Sequence, residues 1–314
     1  MSHGIIFSVI IPHKNTPNLL WRCLNSIPRR KDFQIIVVDD NSSIENIKIL
    51  ENLLNLYSHV EFIFGKNENG RKGAGYARNL GLEKAKGKWL LFADADDFFT
   101  ENAFDILFQY ADNGEDIIYF KIDRCYSDTL EPVENGTIVN KLIDDFINKT
   151  DDCENQIRYR HIVGWGKMIK RNLVTTNQIY FDEVRASNDI MFSIKNGHYA
   201  ESVTVVNKLI YCYTLNRGSL SNTLSLDVLT AKYIIALCYN EFLTKHNQKR
   251  YRWAIVMFYI LSSIKYGLKT FFYFVKLAIQ YRANPFIGMD RWLNRYFNRR
   301  KRLKQNSKYI ISEK

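Results

Sequence analysis

The stretch WLLFADADD, residues 89–97, sets the reading of this chain: a short apolar run, Trp89–Ala93, passes directly into Asp94, Asp96 and Asp97. A strand that delivers carboxylates at its end belongs to a sheet with a ligand edge. Working outward, the pattern repeats. Candidate strands fall at Phe7–Ile11, Gln34–Val38, Glu61–Phe64 and Ile117–Phe120, and helical patterns lie near Leu19–Ser26, Ile44–Leu56, Tyr76–Ala85 and Ala103–Ala111. This alternation is the rhythm of βαβ units on a mostly parallel sheet with helices on both faces, an α/β fold. Right-handed crossovers then bring the carboxyl ends of these strands to one rim.

Three strand ends carry polar groups to that rim: IIPHKN (10–15), VVDDNS (37–42) and FADADD (92–97). The aspartates of the last repel one another unless a cation joins them, and an all-oxygen donor set favours Mg²⁺ or Mn²⁺ over zinc. The competing reading is a helix-capping turn, but Thr100-Glu101 supplies a cap by itself. Asp39-Asp40 fits either a magnesium site of the phosphoacceptor receiver type or a carboxylate accepting from a nucleobase or ribose. The segment NENGRKGAGYARN (67–79) has GxxGxG spacing and is no dinucleotide fingerprint. Its Arg71, Lys72 and Arg78 can still meet phosphate, Arg78 being the better candidate. Asp189, in RASNDIMFSIKNGHYA (185–200), opens a helical segment, where the helix dipole alone favours an acid. No P-loop, HExxH or Ser/His/Asp order is present.

Composition narrows the class further. With 46% hydrophobic and 25% charged residues among 314, the chain is globular and neither disordered nor collagen-like. Five separated cysteines with no CxxC pair argue against a disulfide framework or thiolate zinc site, and point to a reducing cytosol. The start, MSHGIIFSVIIP, reads as a first strand and not as a signal peptide. No apolar run reaches the roughly 18 residues of a membrane span. The net charge of +11 is concentrated in the tail: residues 227–314 carry 18 Lys and Arg against 4 Asp and Glu.

The chain is therefore divided into a catalytic domain, residues 1–226, and a basic, aromatic, helical C-terminal region, residues 227–314. In the latter, Lys265, Lys269 and Lys276 are expected on one helix face, and a final cationic helix is expected from Met289 to about Gln305. An anionic membrane surface suits this pattern. Packing of these helices on the domain or in a dimer is the plainer alternative, and nucleic acid is not expected without a recognised module.

SVIIPHKN (8–15), VVDDNS, GAGYARNLGLEKAKGKWLLFADADD (73–97) and SNDIMF (187–192) together resemble the inverting GT-A-fold glycosyltransferases of family 2, over roughly residues 5–220. The resemblance implies transfer of a sugar from a nucleotide-diphosphate donor, UDP-linked by preference, with Mn²⁺ or Mg²⁺ as cofactor. It implies a glycan or lipid-linked acceptor in cell-surface polysaccharide synthesis, at the cytoplasmic side of the cell membrane. By position, Pro12 and Asn15 border the nucleotide, Asp40 holds the base, Asp94 contacts the donor, and Asp96 and Asp97 bind the metal. Asp189 falls on the general base, preceded here by Asn188 where the family has Glu. HIVGWGKMIKRNLV (161–174) makes Trp165 a candidate sugar-stacking surface, and YTLNRGSLS (213–221) makes Arg217 and Ser219 candidates for the diphosphate. A non-catalytic nucleotide-sugar or glycan-binding relative of the same fold is the alternative; the acids at 94, 96, 97 and 189 argue against it.

Overall fold

A computed structural model of the chain describes residues 4–65, 73–133, 136–215 and 225–287. It separates into two compact units, Met1–Thr223 and Leu224–Lys314.

The first unit is built on one eight-stranded mixed sheet in the order β3-β2-β1-β4-β7-β6-β8-β5. Its first half follows the expected rhythm: β1 (Phe7–His13), α1 (Pro17–Asn25), β2 (Phe33–Asp39), α2 (Ile44–Leu56), β3 (Val60–Phe64), α3 (Ala74–Lys84) and β4 (Trp89–Phe92). β1 pairs in parallel with both β2 and β4, and β2 with β3. All seven residues of β1 are buried, which is why its sequence is apolar without alternation from Val9 to Pro12, with Ser8 and His13 the buried polar residues at either end. Pro17 opens α1 at a position where the missing N–H removes no helix bond.

The second half departs from a purely parallel arrangement. β5 (Phe98–Phe99), α4 (Ala103–Gln109) and β6 (Ile117–Tyr126) are followed by α5 (Ile138–Ile147), α6 (Cys153–Arg160), β7 (Lys167–Lys170), α7 (Arg171–Thr176), α8 (Ile190–Tyr199) and β8 (Val203–Leu215). β7 wedges antiparallel between β4 and β6, β6 pairs in parallel with β8, and β5 lies antiparallel on β8. Four of the seven pairings are thus parallel. The expected cap at Thr100 is not one: its hydroxyl donates to the carbonyl of Leu209, and Asn102 precedes α4 without a side-chain cap bond.

Two glycines let α3 approach the rim. Gly73 takes φ +96°, in the left-handed region where a side chain is strained, and a Cβ on Gly75 would fall 2.0 Å from the carbonyl oxygen of Asp182. The core runs along the sheet through Phe7, Trp89, Phe120 and Phe192, all fully buried.

The second unit contains α9 (Leu226–Lys245), α10 (Val256–Ser263) and α11 (Leu268–Gln280). Leu229, Tyr233, Leu237, Val256, Phe274 and Leu277 form its own core. There Tyr233 stacks on Phe274 at 4.6 Å and donates its hydroxyl to that residue's carbonyl, 3.0 Å away. The unit begins just before α9, which Ser225 caps through the Val228 N–H. The single helix expected to align Lys265 with Lys269 and Lys276 is broken: Lys265 lies in a one-turn 3-10 segment ending at Gly267, whose φ of +99° interrupts the helix. The cationic helix expected from Met289 lies outside the described residues. Among the described residues, no helix is long and apolar enough to cross a membrane.

Candidate active site

The rim is assembled from the ends of β1, β2 and β4, the start of α3, the far end of β8 and the start of α8. At the end of β1, His13 Nδ1 donates to Asp39 at 2.9 Å while its Nε2 accepts the Thr16 N–H at 3.2 Å, which assigns the proton to Nδ1. Asp39 also accepts from the Ser42 N–H and hydroxyl. Burial by itself would raise its carboxyl, but these bonds overcome that and hold it below the usual carboxylate range.

Asp40 is almost fully buried, with Oδ1 accepting the Gly73 N–H at 2.7 Å and Oδ2 facing Lys14 Nζ at 3.1 Å. Its carboxylate thus fastens the β1 loop and the α3 start together, and a base N–H would have to use the lone pairs that remain. Asn15 is exposed beside it, with φ +54°, and accepts the Ser43 N–H at 2.7 Å. Pro12 is buried within β1 opposite Val38.

The three aspartates after β4 diverge in role. Asp97 has 0% exposure; its Oδ2 accepts the Tyr211 hydroxyl at 2.8 Å and its Oδ1 the Thr214 N–H at 2.7 Å. Burial, then the charges of Asp94 and Asp96, push its carboxyl well above the ordinary value. Through these two bonds Asp97, one of the two expected metal ligands, anchors the turn onto β8. Asp96 is held by its backbone carbonyl, which accepts from Arg22 and from Thr214 Oγ1. Its carboxylate meets no other side chain in a hydrogen bond or ion pair among the described residues. Desolvation and the neighbouring Asp94 raise it. Asp94 is partly exposed; its N–H donates to the Tyr211 hydroxyl at 2.9 Å, and its carboxylate pairs with Arg78.

Arg78, the phosphate candidate, lies on the buried side of α3. It is 6% exposed, with one guanidinium nitrogen on Asp94, the other donating to Asn188 Oδ1 at 2.6 Å, and its plane over the Phe181 ring. It therefore ties the β4 acids to the start of α8. Asn188 serves as a neutral acceptor for it.

Asp189 follows at the mouth of α8, partly open to solvent, its carbonyl accepting the Ser193 N–H. Desolvation raises its carboxyl above the ordinary value; Asp94 adds to this, while Arg78 and Lys167 oppose it. Trp165 lies against the same wall, stacked on Tyr211 at 5.5 Å and Tyr213 at 5.4 Å. Tyr211 thus joins Trp165, Asp94 and Asp97. Arg217 and Ser219 lie outside the described residues. Among the described residues no three His, Cys, Asp or Glu side chains are arranged to hold a metal by themselves.

Residues 8–176, more than half of the chain, match the family described as glycosyl transferase family 2. The chain belongs to that family. This family 2 member is 27% identical over 249 residues to the glycosyltransferase GlyA of Streptococcus pneumoniae, covering 73% of this chain and 33% of GlyA. It is 27% identical over 278 residues to the cholesterol galactosyltransferase of Borreliella burgdorferi, covering 84% and 76% of the two chains. It is 26% identical over 218 residues to the poly(ribitol-phosphate) beta-N-acetylglucosaminyltransferase TarS of Staphylococcus aureus, covering 67% and 36%. The chain thus spans about a third of the length of GlyA and of TarS. The crystal structure of TarS 1–349 in complex with UDP-GlcNAc superposes with a TM-score of 0.64 at 20% identity, covering 88% of this chain and 81% of that one. The GT-A fold expected from the sequence is therefore the fold of this chain.

Sequence reasoning missed Tyr211, Thr214, Arg22 and Lys14. Lys14 follows His13 in a motif that was itself singled out; Tyr211 and Thr214 had no signal, since only the fold shows β8 bending back onto the acidic turn.

Proposed function

We propose that this glycosyltransferase moves a sugar, with inversion, from a nucleotide-diphosphate donor, preferentially a UDP-sugar, to a glycan or lipid-linked acceptor in cell-surface polysaccharide synthesis. The observation that carries the reading is Asp189 at the start of α8, partly exposed and next to Asn188, which Arg78 ties to Asp94 after β4. In the step, Asp189 accepts the proton of an acceptor hydroxyl as that oxygen bonds to the anomeric carbon. The bond from that carbon to the diphosphate oxygen breaks, and its electron pair leaves with the nucleotide diphosphate. A positioned base of this kind contributes roughly 10²–10⁴-fold. TarS, bound to UDP-GlcNAc, and the polymer-modifying activity in its name support the donor class and the acceptor class.

Pro12, Asn15 and Asp40 border the nucleotide, Asp94 faces the donor, and Trp165 offers an indole for stacking on a sugar. The donor set fits a divalent ion that brings most of its own ligands: Asp96 supplies a carboxylate free of other side chains, and a diphosphate and waters complete an oxygen shell. Mn²⁺ or Mg²⁺ held there would neutralise charge on the departing diphosphate.

The C-terminal unit suits an anionic membrane surface, at the cytoplasmic face. On α11, Leu268, Phe272 and Ile279 are 69%, 64% and 73% exposed. At 3.6 residues per turn they fall within roughly 40° of one another, with Lys269 and Lys276 along one flank and the buried Phe274 and Leu277 on the other side. Exposed apolar side chains beside lysines are the pattern of a helix lying in the headgroup region.

Calorimetric titration with UDP-, GDP- and dTDP-sugars in the presence of Mn²⁺, paired with an assay for released nucleotide, tests the reading. Binding of one nucleotide class with nucleotide release supports it. Binding without release would identify a pure binder, and no binding of any donor would overturn the donor class.

A further inference from the structure

Asn79 follows Arg78 on α3, is 4% exposed, and has no part in the proposed reaction. An asparagine in a helix interior is unfavourable by propensity, so local structure gives no reason for one here. Its side-chain amide is directed at a distant stretch of backbone. Oδ1 accepts the Phe181 N–H at 2.8 Å, while Nδ2 donates to the Phe181 carbonyl at 3.0 Å and to Glu183 Oε1 at 3.2 Å. Phe181 lies between α7 and α8, outside any strand or helix, so no ladder pairs its peptide groups. Asn79 meets both of them as a neighbouring strand would.

Phe181 touches both halves of the candidate site. Its ring stacks on Phe192 of α8 with centroids 3.8 Å apart, and meets Phe92, the last residue of β4, edge-on at 5.0 Å. Phe192 stands three residues after Asp189, and Phe92 two residues before Asp94. A Cβ on Gly164 would stand 3.7 Å from the Phe181 ring, 3.8 Å from the Phe92 Cβ and 4.0 Å from the Asp189 Cβ, so the ring and the candidate base flank one point. The segment is also closed on itself, the Asp182 N–H donating to the Asn188 carbonyl at 3.1 Å. The peptide that Asn79 holds is thus packed between the strand end that delivers Asp94 and the helix that opens at Asp189.

We infer that Asn79 is a positioning residue for Asp189: its bonds to the Phe181 peptide fix the 181–188 segment against α3, and so set where the Asp189 carboxylate stands relative to the acids after β4. The inference rests on the reading of Asp189 as the base. Arg78 reaches the same segment through the Asn188 side chain and the Phe181 ring, whereas Asn79 holds its backbone. A displacement of about 1 Å at a reacting group costs on the order of 10²-fold in rate.

The test is Asn79→Ala in the full chain, read by amide hydrogen exchange, by calorimetry with UDP and Mn²⁺, and by nucleotide release at saturating UDP-sugar. Exchange is expected to quicken about tenfold at Phe181, whose N–H loses its acceptor, and at Asp182 and Ser193, whose N–H groups donate to the Asn188 and Asp189 carbonyls. At Asp94 it is expected to stay unchanged. UDP affinity is expected within about twofold of wild type, with transfer reduced on the order of 10²-fold. Should Asn79→Ala fail to fold, Asn79→Asp takes its place: it keeps the acceptor for the Phe181 N–H and loses both donor bonds, so the quickening is expected at Asp182 and Ser193. Exchange unmoved at these amides would overturn the inference. So would an equal rise at Asp94, UDP affinity falling in step with transfer, or near-normal transfer despite the faster exchange. Asp189→Asn is measured alongside. Normal transfer by that variant, or a wild type that transfers no sugar, would fault the proposed function, while the exchange rates still report whether Asn79 holds the segment.

Discussion

Replacing Tyr211 by Phe removes one oxygen and leaves every ring contact in place. That oxygen accepts the Asp94 N–H at 2.9 Å and donates to Asp97 Oδ2 at 2.8 Å, inside a fully buried residue. Two partners are stranded by the change. A buried carboxylate losing one of its two donors costs about 1.5–3 kcal/mol, and an amide left without an acceptor about 1–3 kcal/mol. Part of the loss is offset because the new ring is less polar, which leaves an expectation of about 3 kcal/mol, more than a hundredfold in the folding equilibrium. The assay is urea unfolding of the variant beside Tyr213→Phe. Tyr213 sits two residues along β8 in the same stack on Trp165, and its hydroxyl makes no hydrogen bond among the described residues. Tyr213→Phe is expected to stay within about 0.5 kcal/mol of wild type. Amide exchange at Asp94 reads the same event locally and is expected to accelerate in Tyr211→Phe. Donor affinity should fall as well, because the turn carrying Asp94 and Asp96 keeps only its Thr214 bonds to β8. Equal stability of the two variants with unchanged Asp94 exchange would refute the assignment of Tyr211 as the anchor of the turn.

Three further outcomes follow from the site and the tail. Excess EDTA is expected to abolish turnover, and Asp96→Asn to remove any rise in melting temperature that Mn²⁺ and UDP produce together; full activity in EDTA would contradict the ion site. Because burial lifts the Asp189 carboxyl above the ordinary 3.8, and a base must be ionised to act, kcat/KM is expected to fall on acidification around a midpoint above 3.8. A profile flat down to pH 4, where an unshifted carboxylate would still be about half ionised, would contradict that environment. Full-length protein is expected to float with vesicles containing anionic lipid, and Leu268→Ser with Phe272→Ser to weaken flotation; unchanged flotation would remove α11 as the contact.

What the sequence disclosed was decided by burial pattern. β1, β2 and β4 are covered on both faces, so their apolar runs were plain, and the acids at their ends could be assigned to one rim before any coordinates. β7 was not legible, because its four residues KMIK begin and end with lysine, and only the fold shows that the first of these is buried. Three aspartates within four residues look alike as letters. What separates them is that the turn presents Asp97 to Tyr211 and Thr214, residues more than a hundred positions away. The partners of Arg78 were hidden for the same reason: its charge suggests phosphate, and Asp94 and Asn188 come to it only when the start of α8 lies beside α3. In the tail, lysine spacing suggested one face until Gly267 broke the helix between Lys265 and Lys269.

The central claim is that Asp189 takes the proton while the donor is held elsewhere on the rim. Donor titration and sugar transfer measured side by side on Asp189→Asn test it most directly. Nucleotide-sugar binding close to wild type, with transfer reduced by roughly 10²–10⁴-fold, is the result expected. Near-normal transfer by that variant would contradict the claim.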